Sequence, residues 1–466
     1  MALSLVAIGA PVTAAASSAE PIEGIRLHAT TTRAALGTPG AVVVVVDRER
    51  PLLVEALGQR DVAAGEPTTV DTRFLLASAT KAFTATALGR LVDERALAWD
   101  RPVADDLPGF RLADDDATLH VSLRDLLAHR SGLATHPFVF YRSTASRSSV
   151  VGALRHLEMG AGLRERFQYS NLGYLIAGEI GARAVDGRWE DLIRSRLLEP
   201  LGMASSGFAS DARTDRDATA HRPGGDGPDV IEWPEVSLIS AAGGLVTTAR
   251  DLVPWLRLQL SDGSLGGRRI VAADTLAEIQ APQTVLYGLG WNVGVYRGHR
   301  LLWHAGAVDG FGSLVAALPD DGYAIAVMAN ESFSALPSTV VFHAIDQLLG
   351  LASIGSSDEG APRPRRRLGE ATEAVALRRP AEAYVGTFEH PAYGELTIDV
   401  EDGGLRFAFR GLDAALVHRG DERFAITGER ALGDLWARFG VGAEGSVDRV
   451  DVPFAPAVEP IVFRRR

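Results

Sequence analysis

No cysteine occurs in this sequence, so disulfides, thiolate catalysis and zinc–thiolate sites are excluded together. The compartment stays open, because an exported bacterial protein can fold without a disulfide. Lysine is nearly absent too: Lys81 is the only one, and every other fixed positive charge is an arginine. A guanidinium cannot lose its proton in a protein, whereas burial and neighbouring charge can bring a lysine amine toward neutrality. Drift toward arginine would also leave a solitary lysine, so its neighbours must decide what it does.

Positive charge is scarce as well, with 47 basic against 59 acidic residues and a formal net charge of -12. That balance argues against affinity built on neutralising phosphates, and nucleic acid is not an expected partner. No run approaches the ~20 apolar residues that a membrane-spanning helix needs. The histidines and carboxylates lack the helical spacing of a metal site, and no glycine-rich phosphate loop joins a strand to a helix. No metal and no cofactor is implied.

What is present suits a folded protein: 46% hydrophobic and 23% charged residues over a length of 466, enough for two or three domains. Residues 1–22 begin MALSLVAIGAPVTAAASSAE, an apolar run followed by small residues, like the core and cleavage site of a secretory leader without its positive start. Export is expected if that segment is cleaved, and a cytoplasmic location if it is not. Residues 23–350 read as the main domain. Ala41 to Val46 and Leu52 to Leu57 form two apolar runs around a polar break, an antiparallel hairpin whose first strand is buried on both faces.

A helical tract begins near Ser78, with Phe83, Ala87, Leu88, Leu91 and Val92 marking one face for a core. Further tracts run from Leu123 to Ala128 behind a Ser122 cap, from Asn171 to Ala184 and from Trp189 to Leu198. Strands return as Gly288 to Val295, Arg300 to Trp303, Ser313 to Leu318 and Tyr323 to Met328, before a helix from Val340 to Leu349. Strands, a helical middle and strands again predict an α+β fold, an antiparallel sheet flanked by helices with a mostly helical subdomain. Residues 351–379 are rich in Ser, Gly, Pro and Arg and read as a linker. Residues 380–466 carry short strand-like runs, among them Tyr384 to Phe388, Gly394 to Glu401 and Arg423 to Thr427, and predict a small all-β barrel.

Ser78-Ala79-Thr80-Lys81 sets a hydroxyl and the sole amine three positions apart at a helix start, so both leave nearly the same face. Serine becomes a nucleophile when a base lies within hydrogen-bond reach, and S-x-x-K is the arrangement of β-lactamases and penicillin-binding proteins. Tyr169-Ser170-Asn171 opens another helix, and His304-Ala305-Gly306-Ala307 ends a strand. A lone Tyr-x-Asn or a lone strand-end histidine is ordinarily structural. Together and in this order, the three segments resemble the motifs of class C β-lactamases and their esterase and D-peptidase relatives.

The resemblance covers about Ile25 to Gly350, and Tyr384 to Phe409 is more loosely similar to the lipocalin-like barrel of some members. It implies a β-lactamase/transpeptidase-like fold and an acyl-enzyme mechanism. Ser78 would be the nucleophile. Tyr169, as a phenolate favoured by the Lys81 ammonium, would be the base. Asn171 would hold Lys81 and the substrate amide. Gly306 would allow close approach to the strand, and the N–H groups of Ser78 and Ala307 would form the oxyanion hole. His304 would polarise the leaving group or bind a substrate carboxylate. Histidine where relatives often carry lysine is charged only partially near neutral pH, so peptide or ester hydrolysis, D-residue peptides included, ranks above antibiotic hydrolysis. The alternatives are a β-lactam-binding sensor, a β-lactamase, and a transacylase or peptide cyclase. The expected partner is a small-molecule or peptide substrate, and the oligomeric state stays open.

Overall fold

The computed structural model describes residues 19–225, 227–352, 375–433 and 435–466. Residues 1–18 of the leader and 353–374 of the linker lie outside the described residues.

The main domain is built on a seven-stranded sheet. Helix α1 (Ala19–Leu36) leads into β1 (Gly40–Asp47), β2 (Pro51–Asp61) and β3 (Glu66–Pro67). Helices α2 (Thr80–Asp93) and α3 (Asn171–Ala184) belong to the helical middle. Strands β4 (Asn292–Tyr296), β5 (His299–Val308), β6 (Phe311–Leu318) and β7 (Tyr323–Ala329) then precede helix α4 (Leu336–Leu348). The strand order is β4-β5-β6-β7-β1-β2-β3, and each pairing is antiparallel.

The valine run explains why β1 is central. Side chains alternate across a strand, so Val42, Val44 and Val46 join the core under the helical middle, while Ala41, Val43 and Val45 join a second core on the opposite face. That second core is closed by Ile25 and Ala29 of α1 and by Val340, Val341 and Ile345 of α4. Each valine or isoleucine side chain so withdrawn from water stabilises by about 1.5–3 kcal/mol before entropy is counted.

Helix α2 departs from the expected one-sided pattern: residues Thr80 through Gly89 are all buried. Its hydroxyls find partners inside. Thr84 donates to the Ala241 carbonyl at 2.7 Å and accepts from the Trp189 indole at 3.1 Å, which removes the cost of burying them. Strand β5 runs five residues past its expected end at Trp303, because the side chains of Ala305-Gly306-Ala307 are too small to show an alternating pattern. The Trp189–Leu198 tract is α-helical to Ile193 and widens into a π-turn from Arg194 to Leu198. Pro200, which lacks an N–H to donate back along the helix, follows at once.

The C-terminal segment is a closed eight-stranded barrel: β8 (Gly386–His390), β9 (Gly394–Glu401), β10 (Gly404–Phe409), β11 (Leu412–His418), β12 (Arg423–Thr427), β13 (Trp436–Val441), β14 (Val447–Val452) and β15 (Ile461–Arg465). Strands β13 and β14 escaped the sequence reading. The interior is filled with rings, including Tyr384, Phe388, Phe407, Phe424, Phe439 and Phe463 at 0–2% exposure. The Tyr384 and Phe439 centroids lie 5.0 Å apart and those of Phe424 and Phe439 5.1 Å, so the barrel is packed as a core.

One barrel turn docks on the main domain. Arg410 donates to the carbonyls of Phe138 and Val139, both at 2.7 Å, and to that of Tyr393 at 2.7 Å. Phe138 packs on Phe454 at 4.5 Å between ring centroids. The Tyr393 hydroxyl meets His136 Nδ1 at 2.7 Å, and His136 Nε2 meets the Glu158 carbonyl at 2.8 Å. The carbonyl needs the proton on Nε2, so Tyr393 is the donor to Nδ1.

Candidate active site

The site forms where α2 begins. A 3₁₀ turn, Ala77–Ala79, carries Ser78 into the helix. Ala77 holds φ at 49°, a left-handed conformation that costs a non-glycine residue about 1 kcal/mol or more. This sharp turn presents the partly exposed Ser78 while its neighbours Ala77 and Ala79 stay buried. One turn on, Lys81 is 0% exposed. Its Nζ lies 3.1 Å from Ser78 Oγ, 2.8 Å from Asn171 Oδ1 and 2.8 Å from the Ala242 carbonyl. Tyr169 donates its hydroxyl proton to Ser78 Oγ at 3.0 Å. The Tyr169 loop is held in turn, since Thr135 donates to the Tyr169 carbonyl at 2.8 Å and Ser170 to the Ala134 carbonyl at 3.1 Å.

Protonation differs from the phenolate expectation. Burial holds the Lys81 amine well below its ordinary value, and the phenol of Tyr169 is pushed up to about 12 by burial, against the smaller opposing effect of its bond to Ser78. Desolvation disfavours whichever form is charged. It therefore favours a neutral amine beside a neutral phenol, and the ammonium–phenolate pair is the disfavoured arrangement.

Strand β5 supplies the other wall. A Cβ on Gly306 would lie 2.3 Å from the Leu76 carbonyl oxygen and 3.1 Å from Ala77 Cβ, so only glycine lets the strand abut the serine turn. Val308 pairs with Phe311 across the two-residue turn Asp309-Gly310. In such a hairpin the flanking residues bond each other, and alternate residues direct their N–H and C=O to the opposite edge. Ala305 and Ala307 therefore face outward. Strand β4 pairs only as far as Trp303, and both alanines are exposed, so this edge lines the cleft. The N–H of Ser78, at a helix start, is among the donors with no partner within the helix.

His304 is the clearest departure from the expected roles. It is 3% exposed, with Nδ1 2.8 Å from the Ala305 carbonyl and Nε2 2.9 Å from the Tyr287 hydroxyl. The carbonyl requires the proton on Nδ1, so Nε2 accepts from Tyr287. Burial, with the nearby Lys81 as a second cause, brings its pKa down to about 3. An uncharged imidazole with both nitrogens engaged cannot anchor a carboxylate, and it orients Tyr287 instead. Sequence reasoning gave Tyr287 no role. His129, buried at 1% exposure, accepts from the Ser170 N–H at 3.2 Å and lies 4.4 Å from the Tyr169 ring and 4.9 Å from that of Tyr287. It is a packing and positioning group beneath the two phenols. The described residues hold no cluster of metal-ligating side chains and no helix long and apolar enough to cross a membrane.

A serine whose oxygen meets an amine and a phenol, at the head of a buried helix in this α+β fold, defines a serine hydrolase that works through an acyl-enzyme. Residues 27–349 match the family model described as Beta-lactamase, and the chain belongs to that family. Residues 374–465 match a domain of unknown function, DUF3471. Among curated proteins, the unguisins hydrolase ungD' of Aspergillus campestris is 29% identical over 84% of this chain and 82% of its own length. The octameric penicillin-binding protein homologue from Pyrococcus abyssi shares the fold with a TM-score of 0.63 at 21% identity, over 96% of this chain and 100% of that one. The D-amino acid amidase from Ochrobactrum anthropi, 25% identical, superposes with a TM-score of 0.59 over 71% of this chain and 98% of its own.

Proposed function

We propose that this enzyme hydrolyses peptide amide bonds, those of D-residues included, and related esters, with Ser78 as nucleophile, Lys81 as the base and Tyr169 as the proton donor. One observation carries the assignment of the base. The Lys81 amine has three neighbours, of which the Asn171 side-chain oxygen and the Ala242 carbonyl can only accept. With the amine deprotonated, as its burial favours, its two hydrogens go to those two acceptors and its lone pair is left for Ser78 Oγ, 3.1 Å away. The Ser78 proton passes to that lone pair as Oγ bonds the carbonyl carbon. The oxyanion is held by the N–H groups of Ser78 and Ala307. Collapse breaks the bond to the leaving group, which takes a proton from Tyr169, and the Lys81 ammonium returns its proton to the phenolate. Water then repeats the sequence on the acyl-enzyme.

The D-amino acid amidase supports the D-residue amide class by its name, and the unguisins hydrolase supports hydrolysis by its own. A neutral His304 ranks β-lactams lower, because their carboxylate finds no cation there. The test is intact-mass labelling with an active-serine phosphonate together with turnover of D- and L-aminoacyl para-nitroanilides. Wild type is expected to gain one adduct and to hydrolyse at least one anilide series, with both lost in Ser78→Ala. A wild-type protein that takes no label and cleaves nothing in the panel refutes the reading.

A further inference from the structure

The cleft has two walls: β5 on one side, and on the other the segment that supports Tyr169 from Ala134 onward. Among the described residues they are joined beyond Ala307 by one side-chain bond, from the Tyr141 hydroxyl to Asp309 Oδ2 at 2.9 Å. Both residues are only half-buried. Among the described residues no arginine, lysine or histidine lies within ion-pair distance of Asp309 (4.0 Å), although it sits beside a catalytic cleft. Its one side-chain partner is a phenol that stays protonated, burial and the Asp309 charge pushing it up to about 12. The Arg142 guanidinium on this side lies over the Tyr141 ring at 5.8 Å from its centroid and makes no ion pair with Asp309, so the carboxylate keeps an open valence for a further cation.

Direction along the strand says what meets it. On the reading above, the scissile carbonyl accepts from the Ala307 N–H. Antiparallel partners exchange both bonds, so the N–H of the same substrate residue faces the Ala307 carbonyl. The acyl chain then runs, toward its amino terminus, past Val308 to Asp309, and the leaving group runs past Gly306 to His304. At about 3.3 Å per residue, Asp309 stands one to two residues upstream of the residue that is attacked.

We propose that the Tyr141–Asp309 pair closes the acyl end of the cleft and that the Asp309 carboxylate receives a substrate ammonium, so that the enzyme takes di- or tripeptidyl acyl groups with a free amino terminus. The proposal rests on the functional reading above and narrows its substrate class.

The experiment measures kcat/KM for mono-, di-, tri- and pentapeptidyl para-nitroanilides, each with a free and with an acetylated amino terminus. For the wild type a preference of at least tenfold for the free amine is expected with the di- or tripeptide, absent from the pentapeptide. Asp309→Asn is expected to bring the ratio near one while keeping Ser78 labelling and turnover of the acetylated compounds. Tyr141→Phe keeps the charge and is expected to keep the preference while admitting the pentapeptide. Equal turnover of free and acetylated di- and tripeptides by a wild type that labels on Ser78 overturns the inference and leaves the hydrolase reading intact. So does an unchanged ratio in Asp309→Asn. A wild type with neither labelling nor turnover removes both.

Discussion

Lys81 concentrates the chemistry in one atom, and its proton decides the rate. An arginine at that position keeps its charge at all accessible pH, so Lys81→Arg tests the neutral amine directly. A loss of about 10²–10⁴ in kcat/KM is expected, the usual range for removing a general base, and a variant within tenfold of wild type would refute the assignment. The pH profile follows with a definite sign. Activity requires the unprotonated amine, so kcat/KM should fall as pH falls through the pKa of Lys81, and burial puts that limb well below the ordinary lysine range. Tyr169→Phe probes the other proton. Donation to the leaving group matters for an amide and little for para-nitrophenolate, so the variant should lose about 10²-fold or more on anilides and much less on para-nitrophenyl esters.

Among elements, the serine turn and strand β5 depend on each other through Gly306. A methyl group there would sit 2.3 Å from both the Leu76 carbonyl and Ser313 Oγ, and Ser313 itself donates to that carbonyl at 2.7 Å. Gly306→Ala is therefore expected to force strand and turn apart, lowering kcat more than it raises KM and costing about 1–3 kcal/mol in urea denaturation. The sequence made part of this visible. The motifs of Ser78, Lys81, Tyr169 and Asn171 pointed to four side chains that the fold links through hydrogen bonds, and the helix from Asn171 to Ala184 has the bounds its pattern predicted. The partners that lie far along the chain were not legible. Tyr287 reaches His304 from a loop, Tyr141 reaches Asp309 from the segment that follows Ala134, and Ala242 offers Lys81 a backbone oxygen that no motif records. Proton states were hidden for the same reason, since the burial that sets them is assembled from every element around the cleft. The resemblance led to a phenolate that the enclosure disfavours.

At the scale of the whole molecule, burial acts on a set of imidazoles. His129, His136, His221 and His304 in the main domain and His390 in the barrel all have pKa values lowered chiefly by burial, His304 to about 3 and His390 to about 4. Each holds its proton less tightly when folded than when unfolded, where it binds one near pH 6.5. The unfolded state therefore takes up more protons as pH falls, and the stability tied to each group is present above about pH 6.5 and lost progressively below it. The slope per fully enclosed group is at most about 1.4 kcal/mol per pH unit; His390, more open to solvent, contributes less. Arginine-paired carboxylates act in a lower window. Asp125, which accepts from Arg130 and Arg164, has its pKa lowered despite burial, and its contribution fades only below about pH 4. Urea midpoints measured from pH 8 to 4 should be level down to about pH 6.5 and then fall steeply, before Asp125 is protonated. Because His136 bonds Tyr393 across the contact between the domains and His390 packs 5.2 Å from the same ring, the acid loss should reach barrel and hydrolase domain together, as one transition followed by both tryptophan fluorescence and residual activity. A midpoint unchanged from pH 8 to 5 would mean that the imidazoles are hydrated in solution and that the enclosure described for His304 and His129 is wrong.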